Sequence, residues 1–209
     1  MQWTSRQPFV PPSILDRPLL RRAALRYAAH GWPVTPGSYL TGNRFDCGQP
    51  GCPITGCHPA LDSWVTSATD DPERIADWWR RHPYTVLLAT GTAFDVLEVP
   101  ASLGRTGPDT GPVAVTPAGS WMLLVRPGTP LRPELERRLD VVRHGAGSWI
   151  PAPPSRTADG PVRWEVPPGR SQWHLPDSAQ VQEALVAALR PAHRLGTPAI
   201  PRQLSRRAA

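Results

Sequence analysis

Two carboxylates lie within one short apolar stretch, Phe94-Asp-Val-Leu-Glu-Val-Pro100. Carboxylates on a strand are what hard divalent cations such as Mg²⁺ or Mn²⁺ take as ligands. Two such cations can clamp the attacking and leaving oxygens of a phosphoryl transfer. Side chains alternate along a strand, so acids two positions apart point the same way and can share a metal. Asp95 and Glu98 are three apart and fall on opposite faces. Glu98 is therefore the candidate catalytic metal ligand. Asp95 joins it only if a bulge reverses the alternation; otherwise it is a solvent-facing or hydrogen-bonded residue at the strand's start.

A second group of chemically competent side chains sits in Asp46-Cys-Gly-Gln-Pro-Gly-Cys-Pro-Ile-Thr-Gly-Cys-His-Pro59. Cys47, Cys52, Cys57 and His58 offer the donor types of a Cys₃His zinc site. Their spacing departs from the usual C-x₂-C knuckle, and the adjacent Cys57 and His58 must splay to reach one tetrahedral ion. A reduced loop with free thiols, His58 capping a turn before Pro59, stays open as the alternative. A disulfide does not suit a reducing compartment.

The elements that must position these residues follow from periodicity and breakers. Asp16, a cap, and Pro18, in the first turn, open a helix whose stripe is Leu19, Leu20, Ala23, Ala24 and Tyr27, with Gly31 after its end. A short strand at 32–36 leads into a long Cys-rich loop, 37–63. A second helix covers about 71–81, capped by Asp70 or Asp71, with Ile75, Trp78 and Trp79 inward. Apolar runs at 85–91 and 94–99, joined by a Gly-Thr turn, then 112–119, 120–127, 141–147, 148–155 and 162–166, read as strands. A short helix at 133–139 interrupts them. A last helix starts at Asp177 with an Asp-x-x-Gln capping box. Helices flank a block of strands, an α+β pattern. No internal repeat is present.

The 209 residues fit one domain with a substantial core. The expected organisation is an unstructured N-terminal arm over 1–15, the domain over 16–190, and an Arg-rich disordered tail over 191–209. The formal charge is +6, and every basic residue is Arg. Five of these arginines lie from Arg190 onward, where there is no acid, so the body is near neutral. Such a tail can hold a phosphate backbone loosely. No run approaches the ~18 apolar residues of a membrane span, and Met1–Ser13 has no apolar core of a secretory signal. A cytoplasmic protein with no membrane partner is expected. Most of the nine Trp suit core packing. Trp173, near Arg170 in a polar loop, is the one expected to be exposed and available for stacking on bases.

Several segments in one order resemble a known family: Ala24-Leu-Arg-Tyr-Ala-Ala-His-Gly-Trp-Pro33, the Cys-rich loop ending His58-Pro-Ala60, Asp71-Pro-Glu-Arg-Ile-Ala-Asp-Trp-Trp79, Ala89-Thr-Gly91, the Asp95–Pro100 run, Ser120-Trp-Met122, and Ala152-Pro-Pro-Ser155. The pattern is similar to the N-terminal domain of bifunctional DNA primase–polymerases, of the archaeo-eukaryotic primase superfamily. The resemblance covers about residues 20–190. It implies a primase/polymerase-type mixed sheet flanked by helices, and nucleotidyl transfer with Mg²⁺ or Mn²⁺.

Carried over residue by residue, the family's acidic pair falls on Glu98 and Pro100, its Ser-x-His on Ser120 and Met122, and its third acid on Ala146. Proline cannot coordinate a metal. A thioether offers a triphosphate neither charge nor hydrogen bond. Three chemically necessary positions are thus replaced together. Ser120, Arg143, His144 and Arg156 remain as nucleotide- or nucleic-acid-binding candidates, with a plain surface loop as the alternative for Arg143 and His144.

Three functions follow as expectations. The favoured one is a catalytically impaired accessory module binding nucleotides or single-stranded DNA, with replication proteins as partners. The second is an active primase–polymerase with a rearranged site that uses Glu98, Asp95 and an acid such as Asp140 or Asp159. The third is a zinc-stabilised protein-interaction module. No G-x-x-x-x-G-K-[ST] phosphate loop is present, so a helicase function would come from partners in trans.

Overall fold

The computed structural model describes residues 16–42, 44–105 and 111–189. The expected arm at 1–15 and the tail after 190 lie outside these residues. In chain order the elements are α1 (Asp16–Ala28), β1 (Val34–Gly37), β2 (Tyr39–Thr41), β3 (Arg44–Asp46), α2 (Trp64–Ser67), α3 (Pro72–Arg81), β4 (Thr85–Ala89), β5 (Asp95–Pro100) and α4 (Ala101–Gly104). They continue with β6 (Val113–Val115), β7 (Ser120–Val125), α5 (Pro133–Glu136), β8 (Val142–His144), β9 (Trp149–Pro151), β10 (Arg156–Thr157), β11 (Gly160–Pro161), β12 (Arg163–Val166) and α6 (Ser178–Leu189).

A five-stranded sheet in the order β12-β6-β7-β5-β8 carries Glu98 on β5, between β7 and the edge strand β8, and a three-stranded sheet, β1-β4-β9, packs beside it. The fold is α+β, one compact domain. Where the resemblance implies a mixed sheet, the described strand pairings are all antiparallel. β4 and β5 are neighbours in sequence yet belong to different sheets. The Thr90–Phe94 turn between them therefore carries the chain from one sheet to the other.

Strand alternation divides the core in two. One side of the large sheet, Val96, Ala114, Met122 and Leu124, packs with the small sheet's Val34, Val86, Leu88 and Ile150 under α1 and α3. The other, Leu97, Val99, Val113, Leu123 and Val125, is covered by Leu103 of α4, Leu135 of α5, and Val181, Leu185 and Val186 of α6. Burying each such aliphatic side chain contributes about 1.5–3 kcal/mol before conformational entropy is counted.

The helix ends follow the sequence. Asp71 Oδ1 accepts the Glu73 N–H at 2.9 Å, and Pro72 occupies the first turn of α3. Asp177 Oδ1 accepts from Ala179 and Gln180 N–H at the start of α6. Gly31 turns the chain after α1 with φ +73°. Two readings need correction. Leu19 is 54% exposed rather than part of the buried stripe, because α1 buries Ala24, Tyr27 and Ala28. Trp173 is half-buried, stacked on His30 at 3.5 Å and edge-on to Tyr27 and Trp32. No described helix is long and apolar enough to cross a membrane.

Candidate functional site

Register places the motif positions together. Glu98 pairs with Met122, and Pro100 with Ser120, across β5 and β7. Directly opposed residues share a face, so Glu98, Pro100, Ser120 and Met122 form one patch, with Val142 of β8 opposite Glu98 on its other side. Met122 is buried to 1% exposure in the core under α1 and α3. Its thioether fills space where a polar donor would need a partner.

The Glu98 carboxylate is already engaged. Its Oε2 lies 2.8 Å from His144 Nε2, and His144 Nδ1 lies 2.9 Å from Ser148 Oγ. The hydrogen bond from His144 holds the Glu98 carboxyl below its ordinary range, aided by Ser120 and the His144 charge and opposed by burial. The turn after β4 sets the loop that carries Ser148. Thr90 Oγ1 donates to Gly145 O at 2.6 Å, and Thr90 N–H to Ser148 O at 3.0 Å. Gly91 has φ +96°, and a Cβ there would sit 2.3 Å from the Ala146 backbone. Ala146 itself is exposed.

Asp95 does not join this patch. The alternation holds without a bulge along β5, and Asp95 lies on the opposite face. It is 1% exposed and accepts from Arg143 Nε and Gly128 N–H, both at 3.0 Å. Arg143 and His144, neighbours on β8, thus hold the two β5 acids on opposite faces. Arg156 is exposed on the separate β10–β11 hairpin.

The hollow beside Glu98, about 270 Å³, includes Pro100, Ser120, Leu139, Val142 and Asp140 in its wall. Asp140 is bound at both oxygens by Arg138. The wall holds two acids, each already held by a basic side chain, and offers a triphosphate no cation of its own. Among the described residues, the one group of three or more acid, His or Cys side chains whose donor atoms converge is Cys47, Cys52 and His58, far from this face in the sequence and in a separate loop. The residues around Glu98 therefore do not fit a two-metal centre.

That loop is better ordered than its composition implies. β2 and β3 form a hairpin inside it. Cys57, expected among the donors, turns away beside Thr85, and burial pushes its thiol up to about 12.

A second hollow, a groove of about 500 Å³ beside α1, went unnoticed in the sequence. Arg22 and Arg26, one turn apart, face Trp164, Trp173 and the Pro153-Pro154 step. Arg26 sits over the Trp173 ring at 5.6 Å. Tyr27 donates to Pro153 O and accepts from Trp164 Nε1 at 3.1 Å, which fixes the floor. Gln172 and Trp173 adopt positive φ, 52° and 62°, a strained backbone that aims the Trp173 ring at the helix. The legible signal was the Arg-x₃-Arg spacing on α1; the partners come from residues more than 120 positions away.

The family model of the bifunctional DNA primase/polymerase N-terminal domain matches residues 24–181. The chain belongs to that family. No curated protein matches it.

Proposed function

We propose that this member of the bifunctional DNA primase/polymerase N-terminal family is a nucleotide- or nucleic-acid-binding accessory module that has given up nucleotidyl transfer. The observation that carries the reading is the engagement of Glu98 by His144, on a face whose other motif positions hold Pro100 and Met122. A lone, partnered carboxylate is too few ligands for two hard cations. The binding half of the reading is supported by the α1 groove, which combines two guanidinium groups with indole faces and no acid. Single strands are held by such pairings of backbone charge and base stacking. Ser120 and Arg156 keep a lesser part at the edges. A cytoplasmic location and replication proteins as partners belong to the same reading.

A second reading has one observation in its favour: Asp140 shares the hollow with Glu98. An active enzyme would have to release Asp140 from Arg138 and Glu98 from His144 and gather both on metal. Primed and unprimed nucleotide incorporation with Mg²⁺ and Mn²⁺, beside a Glu98→Ala control, separates the two. The accessory reading expects no incorporation by folded protein, together with single-stranded DNA binding that weakens as salt rises. Metal-dependent incorporation that vanishes in the control overturns it.

A further inference from the structure

The loop between β1 and α2 contains a donor set that plays no part in the reading above. Cys47 follows β3 directly. Asp46 Oδ1 accepts the Gly48 N–H at 2.7 Å, and Gly48 and Gly51, at φ +80° and +75°, fold the chain back so that Cys52 returns toward Cys47. His58 arrives from the other direction on a segment zipped to the end of β1. Ser38 N–H donates to His58 O at 2.7 Å, His58 N–H to Ser38 Oγ at 3.1 Å, and Ala60 N–H to Pro36 O at 2.9 Å. The Cys47 and Cys52 sulfurs and a His58 ring nitrogen then lie within 4.8 Å of one another.

The histidine is oriented for ligation. Its Nδ1 lies 2.7 Å from Gly56 O. A carbonyl only accepts, so Nδ1 carries the proton, and the Nε2 of a neutral ring presents its lone pair. Nε2 lies 3.5 Å from Cys52 Sγ. A tetrahedral zinc ion with Zn–S about 2.3 Å and Zn–N about 2.0–2.1 Å separates sulfur from nitrogen by about 3.5 Å. A backbone carbonyl behind the distal nitrogen is also the usual support of a ligating imidazole. Cys57 is excluded, because neighbouring side chains diverge and its own turns toward Thr85.

We propose that Cys47 Sγ, Cys52 Sγ and His58 Nε2 hold one thiophilic divalent cation, Zn²⁺, and that solvent completes its tetrahedron on the exposed Cys52 side. The ion ties the end of β3, the middle of the loop and the β1 edge together, and so fixes a segment that has few apolar contacts of its own. Both thiols lose their protons on binding.

The test uses the full chain, freed of metal under reducing conditions and titrated with Co²⁺, whose tetrahedral thiolate complexes absorb in the visible and near ultraviolet. One equivalent is expected to saturate a thiolate-to-metal band, and Zn²⁺ to displace the Co²⁺. Cys57→Ser is expected to titrate as the unaltered chain does. Cys52→Ser is expected to lose at least half the band, and His58→Ala to weaken binding at least tenfold. Circular dichroism of each variant establishes that it is folded. Absence of a stoichiometric band in the folded unaltered chain overturns the proposal. So does equal loss in Cys57→Ser and Cys52→Ser, or binding indifferent to both Cys52→Ser and His58→Ala.

Discussion

Glu98 and Met122 face each other across β5 and β7, one partly exposed and paired with His144, the other sealed in the core. A histidine at 122, as in the family's motif, would place its imidazole among the apolar side chains that enclose Met122, Val96, Ala114 and Leu124 among them. Burying an imidazole without a partner costs about 1–3 kcal/mol. Met122→His is therefore expected to destabilise the fold by that amount in urea denaturation. A fully stable variant would mean that the face accommodates an imidazole at this position.

The pairing of Asp95 with Arg143 yields a second expectation. Asp95 is almost wholly enclosed, and Arg143 is its cationic partner. Removing one member of a buried pair leaves an uncompensated charge and costs about 3–5 kcal/mol; the partial exposure of Arg143 places this site at the lower end. Arg143→Ala should cost about 3 kcal/mol alone and much less in an Asp95→Asn background, where Gly128 N–H still has an acceptor. A double-mutant cycle with no coupling between the two sites would refute this.

These relationships show what was legible in the chain. Alternation along β5 is local, so the separation of Asp95 from Glu98 and the company of Glu98 with Pro100 could be read directly. Cys57 was expected among the donors with His58, and its turn toward Thr85 was not legible. What holds each acid was not legible. Arg143 and His144 meet their partners through a pairing of β8 with β5 that spans more than 40 residues, and periodicity carries no information about register between distant strands. For the same reason two consecutive apolar runs, β4 and β5, gave no sign that they enter different sheets. Trp173 was expected to be exposed because its neighbours are polar. Its positive φ turns it instead onto His30, Arg26 and Tyr27.

The carboxyl of Glu98 predicts a pH dependence. Its folded pKa is depressed below the ordinary 4.5, first by the hydrogen bond from His144. A group depressed in the folded state contributes stability above its unfolded pKa and loses that contribution as pH falls through the folded value. Stability is thus expected to decline below about pH 4.5, and Glu98→Gln is expected to flatten that part of the curve. Denaturant unfolding of both proteins from neutral pH to about pH 3 makes the comparison. Parallel curves would show that the pair contributes nothing to folding.

The groove beside α1 makes the binding reading quantitative. Arg22 and Arg26 are exposed on one helix face, and replacing them disturbs no described ion pair. If each holds one phosphate of a single strand, each contributes about 0.7 to the slope of log K against log salt. The double variant Arg22→Ala/Arg26→Ala should therefore bind a single-stranded oligonucleotide more weakly and with a slope shallower by about 1.4. Fluorescence anisotropy over a salt series measures both. Trp173→Phe keeps a ring for its packing against His30 and Tyr27 but offers less stacking area, so it should weaken affinity while leaving the slope unchanged. An unchanged slope in the arginine variant would place the contacts elsewhere, and a changed slope in Trp173→Phe would mean that the ring acts by holding Arg26 rather than by stacking on a base.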